Sequence, residues 1–210
     1  GAPNPSAAMQ RPADPNQAKL LTKVESIRRL TREEANRNLQ VKIRGVVTFA
    51  QPQWGNLFIQ DETGGIGSWP WLKGCEAKAG DEVEFEGTTE QTGFGPGLRP
   101  SKVTVRGKGQ FPAPLKHTLS YMLTGRDDAQ WVEIEGIVRR FTTQNLHLMT
   151  EGGEVIIWVA DFGDLRPESL IDAAVRVRGV CVPKWNDRNQ IVAIRIVTTS
   201  QNQLHVLQAA

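Results

Sequence analysis

Two stretches decide the fold: VKIRGVVT at residues 41–48 and VEIEGIVR at residues 132–139. In the first, Val41, Ile43, Gly45 and Val47 alternate with Lys42, Arg44 and Thr48; in the second, Val132, Ile134, Gly136 and Val138 alternate with Glu133, Glu135 and Arg139. A period of two is that of a strand with one buried and one wet face. Glycine in mid-strand weakens the strand unless the chain bends there or another backbone comes close. Gly45 and Gly136 hold the same place in both stretches, which predicts a long first strand that curves to serve both halves of a small barrel.

Outward from these stretches the likeness continues. NLFIQDETGGI at 56–66 matches NLHLMTEGGEV at 145–155, and DEVEFEGTT at 81–89 matches AAVRVRGVC at 173–181. The three blocks recur at offsets of 91, 89 and 92 residues, in the same order, so the chain contains a duplicated domain. Strands are expected near 41–49, 56–61, 65–71, 82–89 and 101–106, and again near 131–140, 145–150, 154–160, 174–182 and 190–198. The turns ETGG and TEGG supply glycines that can take the positive φ of a hairpin. DLRPESLIDA, between the third and fourth strands of the second copy, reads as a short helix with Pro167 in its first turn, whereas LKGCEAKAG in the first copy reads as a turn.

Five strands, a bent first strand and a helical insertion after the third fit the oligonucleotide/oligosaccharide-binding (OB) barrel. An SH3-like barrel is the nearest rival but lacks that helix. A seven-stranded sandwich needs more strands than each copy supplies. The expected fold is mainly β: two tandem five-stranded OB-fold barrels, each preceded by a short helix. Thr31 followed by Glu34 forms a capping box for a helix through Arg37, next to the apolar face of Val24, Ile27 and Leu30. Thr118 caps LSYML, which stops at Gly125. The boundaries follow as a disordered Pro/Ala-rich leader at 1–18, helical prelude and first barrel at 19–110, a linker with a short helix at 111–130, and the second barrel at 131–210. The close QNQLHVLQAA, without a charged or polar end, is read as that of a fragment cut from a longer protein.

The 210 residues carry 25 basic and 23 acidic side chains, a net charge of +2. The excess sits in residues 1–38, with seven basic against four acidic, while 39–110 is balanced at eight and eight. Charges on the first and fourth strands exchange sign between copies: Lys42 and Arg44 face Glu82, Glu84 and Glu86, whereas Glu133 and Glu135 face Arg176 and Arg178. Opposite charges therefore meet across the strands in both barrels, and no basic stripe remains for a phosphate backbone. No apolar run approaches the roughly 18–20 residues of a membrane-spanning helix.

OB barrels bind on the outer face of the second and third strands, framed by the loops from strand one to two and four to five. With Leu57 and Ile59 inward, Phe58 points outward, and the same phase turns His147, Trp69 and Trp158 outward; the loops add Trp54, Phe94 and Trp185. These seven residues are the candidate ligand-binding set. Exposed aromatics stack on bases, sugars or apolar ligands, and they also serve to pack two joined barrels together. Trp69 and Trp158 suit the packing role, Phe94 and Trp185 the binding role.

Nothing points to catalysis. His117, His147 and His205 lie in separate contexts, and no metal-ligand spacing, G-x-S-x-G elbow or P-loop is present, so neither a metal nor a cofactor is expected. The acidic pairs at 61–62 and 127–128 fall in predicted turns, where carboxylates are solvated. Cys75 and Cys181 occupy non-equivalent places in the repeats, and free thiols are expected.

The string Arg44–Thr48, then Trp54–Gly55, then Phe58–Ile66, together with GDEVEFEG and QWVEIEGIV, resembles the tandem OB-like repeats in the extracytoplasmic sensor regions of bacterial membrane-bound signalling proteins, chiefly histidine kinases. The likeness runs from about Leu21 to Val206. It implies a periplasmic input or scaffold module tethered to the membrane in the full-length protein, and it brings no agreed ligand or catalytic residues. The second copy departs from the string, with His147 for Phe58 and Leu148, Met149 and Thr150 for Ile59, Gln60 and Asp61. The expected function is a non-enzymatic sensor module for signal transduction that binds a small molecule, glycan or protein. A single-stranded nucleic-acid-binding protein and a structural spacer are the alternatives, and the neutral barrels weigh against nucleic acid.

Overall fold

The computed structural model describes residues 20–210. The expected leader at 1–18 lies outside the described residues. The first half contains helices α1 (Val24–Arg28) and α2 (Arg32–Ala35) and strands β1 (Gln40–Gln51), β2 (Asn56–Asp61), β3 (Gly64–Ser68), β4 (Asp81–Gln91) and β5 (Pro96–Lys108). The second half contains α3 (Leu119–Met122), β6 (Trp131–Thr142), β7 (Asn145–Thr150), β8 (Gly153–Val159), β9 (Ala174–Trp185), β10 (Ile191–Thr198) and β11 (Leu204–Gln208).

β1 pairs antiparallel with β4 over Gln40–Val46 and then with β2 over Val46–Gln51. The change of partner falls beside Gly45, where an added Cβ would stand 2.5 Å from the carbonyl oxygen of Gln60. β6 repeats the device: it leaves β9 for β7 at Ile137, and a Cβ on Gly136 would stand 2.5 Å from the carbonyl oxygen of Met149. Only glycine lets the two backbones approach this closely.

The first barrel closes in the order β1-β2-β3-β5-β4, with β3 and β5 meeting in parallel at Ser68 and Leu98. The second runs through the same cycle, β8 lying parallel to β10, β10 antiparallel to β9, and β9 antiparallel to β6. Its fifth strand differs from the five-strand expectation. In the first barrel β5 accompanies β4 from Lys108 opposite Asp81 to Pro96 opposite Gln91, but in the second that path is shared by β10 and β11, with the 3-10 turn Gln201–Gln203 between them.

Inward residues build one core per barrel. Ile43, Val47, Ile59, Ile66 and Phe85 fill the first, joined by Val24 and Ile27 of α1; Val132, Val138, Leu148, Ile157 and Ile196 fill the second, joined by Leu119 and Met122 of α3. Each side chain of this size contributes roughly 1.5–3 kcal/mol when fully buried. The capping box is present, with Thr31 Oγ1 accepting from Glu34 N at 3.2 Å and Thr31 N donating to the Glu34 carboxylate at 2.8 Å, but this helix ends at Ala35. DLRPESLIDA forms a 3-10 turn at Pro167–Leu170 with Pro at its start.

The exchanged charges do pair across β1 and β4 and across β6 and β9. Arg44 donates twice to Glu82 at 2.9 and 3.0 Å, diagonal to its register partner Glu84, which instead accepts from Arg106 at 2.9 Å and lies 3.4 Å from Lys42. In the second barrel Arg178 donates to Glu133 and Arg176 to Glu135, each at 2.7 Å. Cys75 and Cys181 are free, and burial pushes the Cys181 thiol well above its ordinary range.

Candidate ligand site between the barrels

The site begins with a bulge. Val47 pairs with Ile59, the register then shifts, and Phe49 pairs with Phe58, so Thr48 is the extra residue and Phe49 turns to the outer face beside Phe58. The two rings meet edge to face at 6.1 Å. On the neighbouring strand Gly67 lies opposite Phe58, and its missing side chain leaves room for the ring, which an added Cβ would approach to 3.2 Å. Phe49 is nevertheless fully buried, because Trp158 of β8 covers it at 5.9 Å, and Trp54, from the 3-10 turn Pro52–Trp54, lies 4.1 Å from Trp158. Phe111 of the linker stacks on Trp131 at 4.7 Å. This aromatic seam, with Val180 and Val197, joins the barrels.

Polar contacts fix the same junction. The Gln130 side-chain amide accepts from Gly65 N at 3.1 Å and donates to Gly65 O at 3.2 Å, and Trp131 N donates to Gln60 Oε1 at 3.0 Å. The Arg28 guanidinium donates to the carbonyls of Gly65, Asp128 and Arg126 at 3.0, 2.7 and 3.3 Å, tying α1, β3 and the linker into one knot. Burial lowers the pKa of Arg28, and nearby Asp128 and Asp127 offset part of that.

Beside the seam a cleft of about 440 Å³ opens on the outer face of β2 and β3. Phe58, Trp69 and Phe94 line it from the first barrel, Val182 and Pro183 from β9 of the second, with Glu90 and Asp128 among the polar lining. The β4–β5 loop holds Phe94 through Thr92, whose Oγ1 accepts from the backbone N of Phe94 and Gly95 at 3.3 and 3.2 Å. Phe94 then stacks on Trp185, ring centroids 5.2 Å apart and planes within 13°. Trp185 ends β9, at the corresponding loop of the second barrel, where Asn186 Oδ1 accepts from Arg188 N and Gln190 N at 3.0 Å each. Corresponding loops of the two barrels thus meet over one edge of the cleft. A larger opening of about 800 Å³, lined by Trp71, Cys75 and Lys78 among others, contains none of the seven candidate residues.

Of those seven, Phe58, Trp69 and Phe94 line the cleft and Trp185 stacks at its edge, while Trp54 and Trp158 belong to the seam. His147 is elsewhere. The outward phase holds for its strand, but the side chain is covered: Nε2 lies 3.0 Å from Thr142 Oγ1, Nδ1 lies 3.0 Å from Glu154, and Arg140 shares that carboxylate at 3.4 Å. The bond with His147 holds the Glu154 carboxyl below its usual range, with burial opposing and Arg140 assisting. Arg140 and His147 occupy the places of Phe49 and Phe58, so the second barrel carries a closed polar network where the first carries aromatics.

In the acidic pairs Glu62 is exposed as expected, but Asp61 and Asp127 are buried. Asp61 is 8% exposed and accepts from Val24 N at 2.9 Å, Thr63 N at 2.7 Å and Gly64 N at 3.1 Å, which pins the start of α1 to the β2–β3 turn. Asp127 is 2% exposed with His117 Nδ1 2.9 Å from its carboxylate, and Asp128 lines the cleft. Asp61 reads as solvated because the docking of α1, some 37 residues earlier in the chain, is invisible locally. Among the described residues no group of His, Cys, Asp and Glu is placed to hold a metal ion.

No family model matches this chain, and no curated protein matches it. Among solved structures, the hypothetical protein YgiW from E. coli is 18% identical, with 40% of this chain and 88% of that one covered and a TM-score of 0.34. A deletion mutant of the single-stranded DNA binding protein from Thermus aquaticus is 16% identical, with 81% and 95% covered and a TM-score of 0.23. Likenesses this distant assign no function.

Proposed function

We propose that this chain is a ligand-binding sensor module that seats a small molecule in the cleft between its two barrels. One observation carries the reading: the cleft draws its aromatic wall from the first barrel and its opposite wall, Val182 and Pro183, from the second. A ligand touching both walls favours one mutual arrangement of the barrels, which is how a binding event becomes a signal along the chain. The volume falls within the range of small-molecule sites, about 300–1,000 Å³. The resemblance of Arg44–Thr48 and Phe58–Ile66 to periplasmic sensor repeats supports placing this module outside the cytoplasm, in a membrane-tethered signalling protein. None of the described residues lining the cleft is basic, which weighs against a nucleic-acid backbone there.

The test is a thermal-shift screen against sugars, amino acids, amines, nucleotides and oligonucleotides, repeated with Trp69→Ala and Phe94→Ala. A ligand of the native state raises the melting temperature by mass action. A shift confined to one class and lost in both variants supports the module. Shifts that survive both variants place binding elsewhere and refute this site. A spacer, which the buried Trp54–Trp158 seam also suits, predicts no shift with any class.

A further inference from the structure

We infer that the cleft between the barrels selects an organic cation, an ammonium or guanidinium head, over neutral and anionic ligands of the same shape; this rests on the proposed ligand-binding reading. Three aromatic rings, Phe58, Trp69 and Phe94, converge on the cleft, and Trp69 and Phe94 keep 52% and 57% of their surface exposed although a well-formed cavity lies against them. Aromatic faces carry negative quadrupole potential and attract cations, most strongly where water is excluded. The charged residues in the lining are both acidic, Glu90 and Asp128, and none of the described lining residues is a cation. A cation entering the cleft therefore meets only complementary charge, whereas an anion meets none.

The two carboxylates are not equivalent. Glu90 is already balanced by Arg99, which donates to it at 2.8 Å from outside the lining. Among the described residues Asp128 has no such ion pair: the nearby Arg28 spends its guanidinium on backbone carbonyls, including that of Asp128 itself. Burial pushes the Asp128 carboxyl above its usual range, with Arg28 and the backbone of Ala129 only partly offsetting it. A half-buried acid held this way gains most when a cation arrives beside it.

The experiment compares choline with its uncharged carbon isostere, 3,3-dimethylbutan-1-ol, by titration of the whole chain followed through tryptophan fluorescence and calorimetry. Choline should bind about tenfold more tightly than the isostere. Asp128→Asn should remove most of that preference while leaving the isostere's affinity unchanged, and Trp69→Ala should weaken both. Equal or tighter binding of the isostere overturns the cation assignment but leaves a ligand site standing, because the site is then simply apolar. Binding of neither probe also overturns the assignment, and the class screen described above then decides the ligand-site reading separately. Preference for choline that survives both Asp128→Asn and Trp69→Ala places the cation elsewhere and refutes this site. Far-ultraviolet circular dichroism of each variant separates lost affinity from lost fold.

Discussion

Trp54 of the first barrel and Trp158 of the second lie with ring centroids 4.1 Å apart and planes tilted by 48°, each from a different copy of the repeat. Trp158 has a counterpart in the first copy, Trp69, which falls at the same point of the repeat. Trp69 is 52% exposed and Trp158 is 5% exposed. The duplicated tryptophan thus became a fastener in one copy and a cleft wall in the other.

Trp158→Ala should therefore cost about 3–5 kcal/mol, the range for deleting a buried aromatic, and Trp69→Ala about 0.5 kcal/mol or less, as for an exposed side chain. Urea unfolding measures both. Because the seam couples the barrels, the Trp158 variant should also split a single transition into two. Similar losses at the two positions would contradict the assigned roles.

The two glycines at the strand crossovers should be intolerant of any side chain. Gly45→Ala and Gly136→Ala each bring a Cβ to 2.5 Å from a carbonyl oxygen and should cost at least about 2 kcal/mol. Gly93→Ala, with nothing within 4 Å, should change stability by less than about 0.5 kcal/mol. Chemical denaturation of the three variants checks this.

Charge reversal distinguishes the true partners on the first barrel. The double variant R44E/E82R exchanges two residues that bond each other, and its melting temperature should stay close to the parent's. R44E/E84R should melt lower than R44E/E82R, since E84R places a cation beside Lys42 and Arg106 and R44E sets a carboxylate beside Glu82. These groups are solvent-exposed, so 1 M salt should narrow the difference.

Glu133 should contribute to the acid limb of stability. Burial pushes its carboxyl up, but hydrogen bonds from Arg178 and Lys116 together outweigh burial and hold it below the ordinary carboxylate value. A group with a depressed folded pKa stabilises fully above its unfolded value, about 4.3, and loses that contribution as pH falls through the folded value. Glu133→Gln should therefore flatten the fall of unfolding free energy below about pH 4. An unchanged acid limb would show that Glu133 carries none of it.

Much of the fold was legible because it is written in local periods. Val41, Ile43 and Val47 announced their strand by alternation, and the same count set Leu57 and Ile59 inward and Phe58 outward, where they lie. The length of the fifth strand was not legible. Pro96 opens β5 and Pro100 sits at its bulge, places that tolerate proline but read locally as the end of a strand, and the turn at Gln201–Gln203 that breaks its counterpart carries no strong signal. Within the site, Phe94 and Trp185 stood out as loop aromatics, but their stacking on each other did not, since 91 residues separate them. Asp61, Asp127 and Asp128 look like any turn acids, and only the backbone donors and His117 that surround the first two make them structural.

Local patterning along the chain specifies two copies of one barrel, the glycines at which their long strands change partner, and the opposite charges that meet across those strands. These follow from alternation and from repeats, which a chain carries wherever it folds. The tertiary structure alone decided which barrel face is covered and which is left open: Trp158 met Phe49 and Trp54, His147 closed on Thr142 and Glu154, and a cleft remained between Phe58, Trp69 and Phe94. Docking depends on how two surfaces match in shape and charge, and the residues that form those surfaces are distant along the chain, so no local pattern records the match.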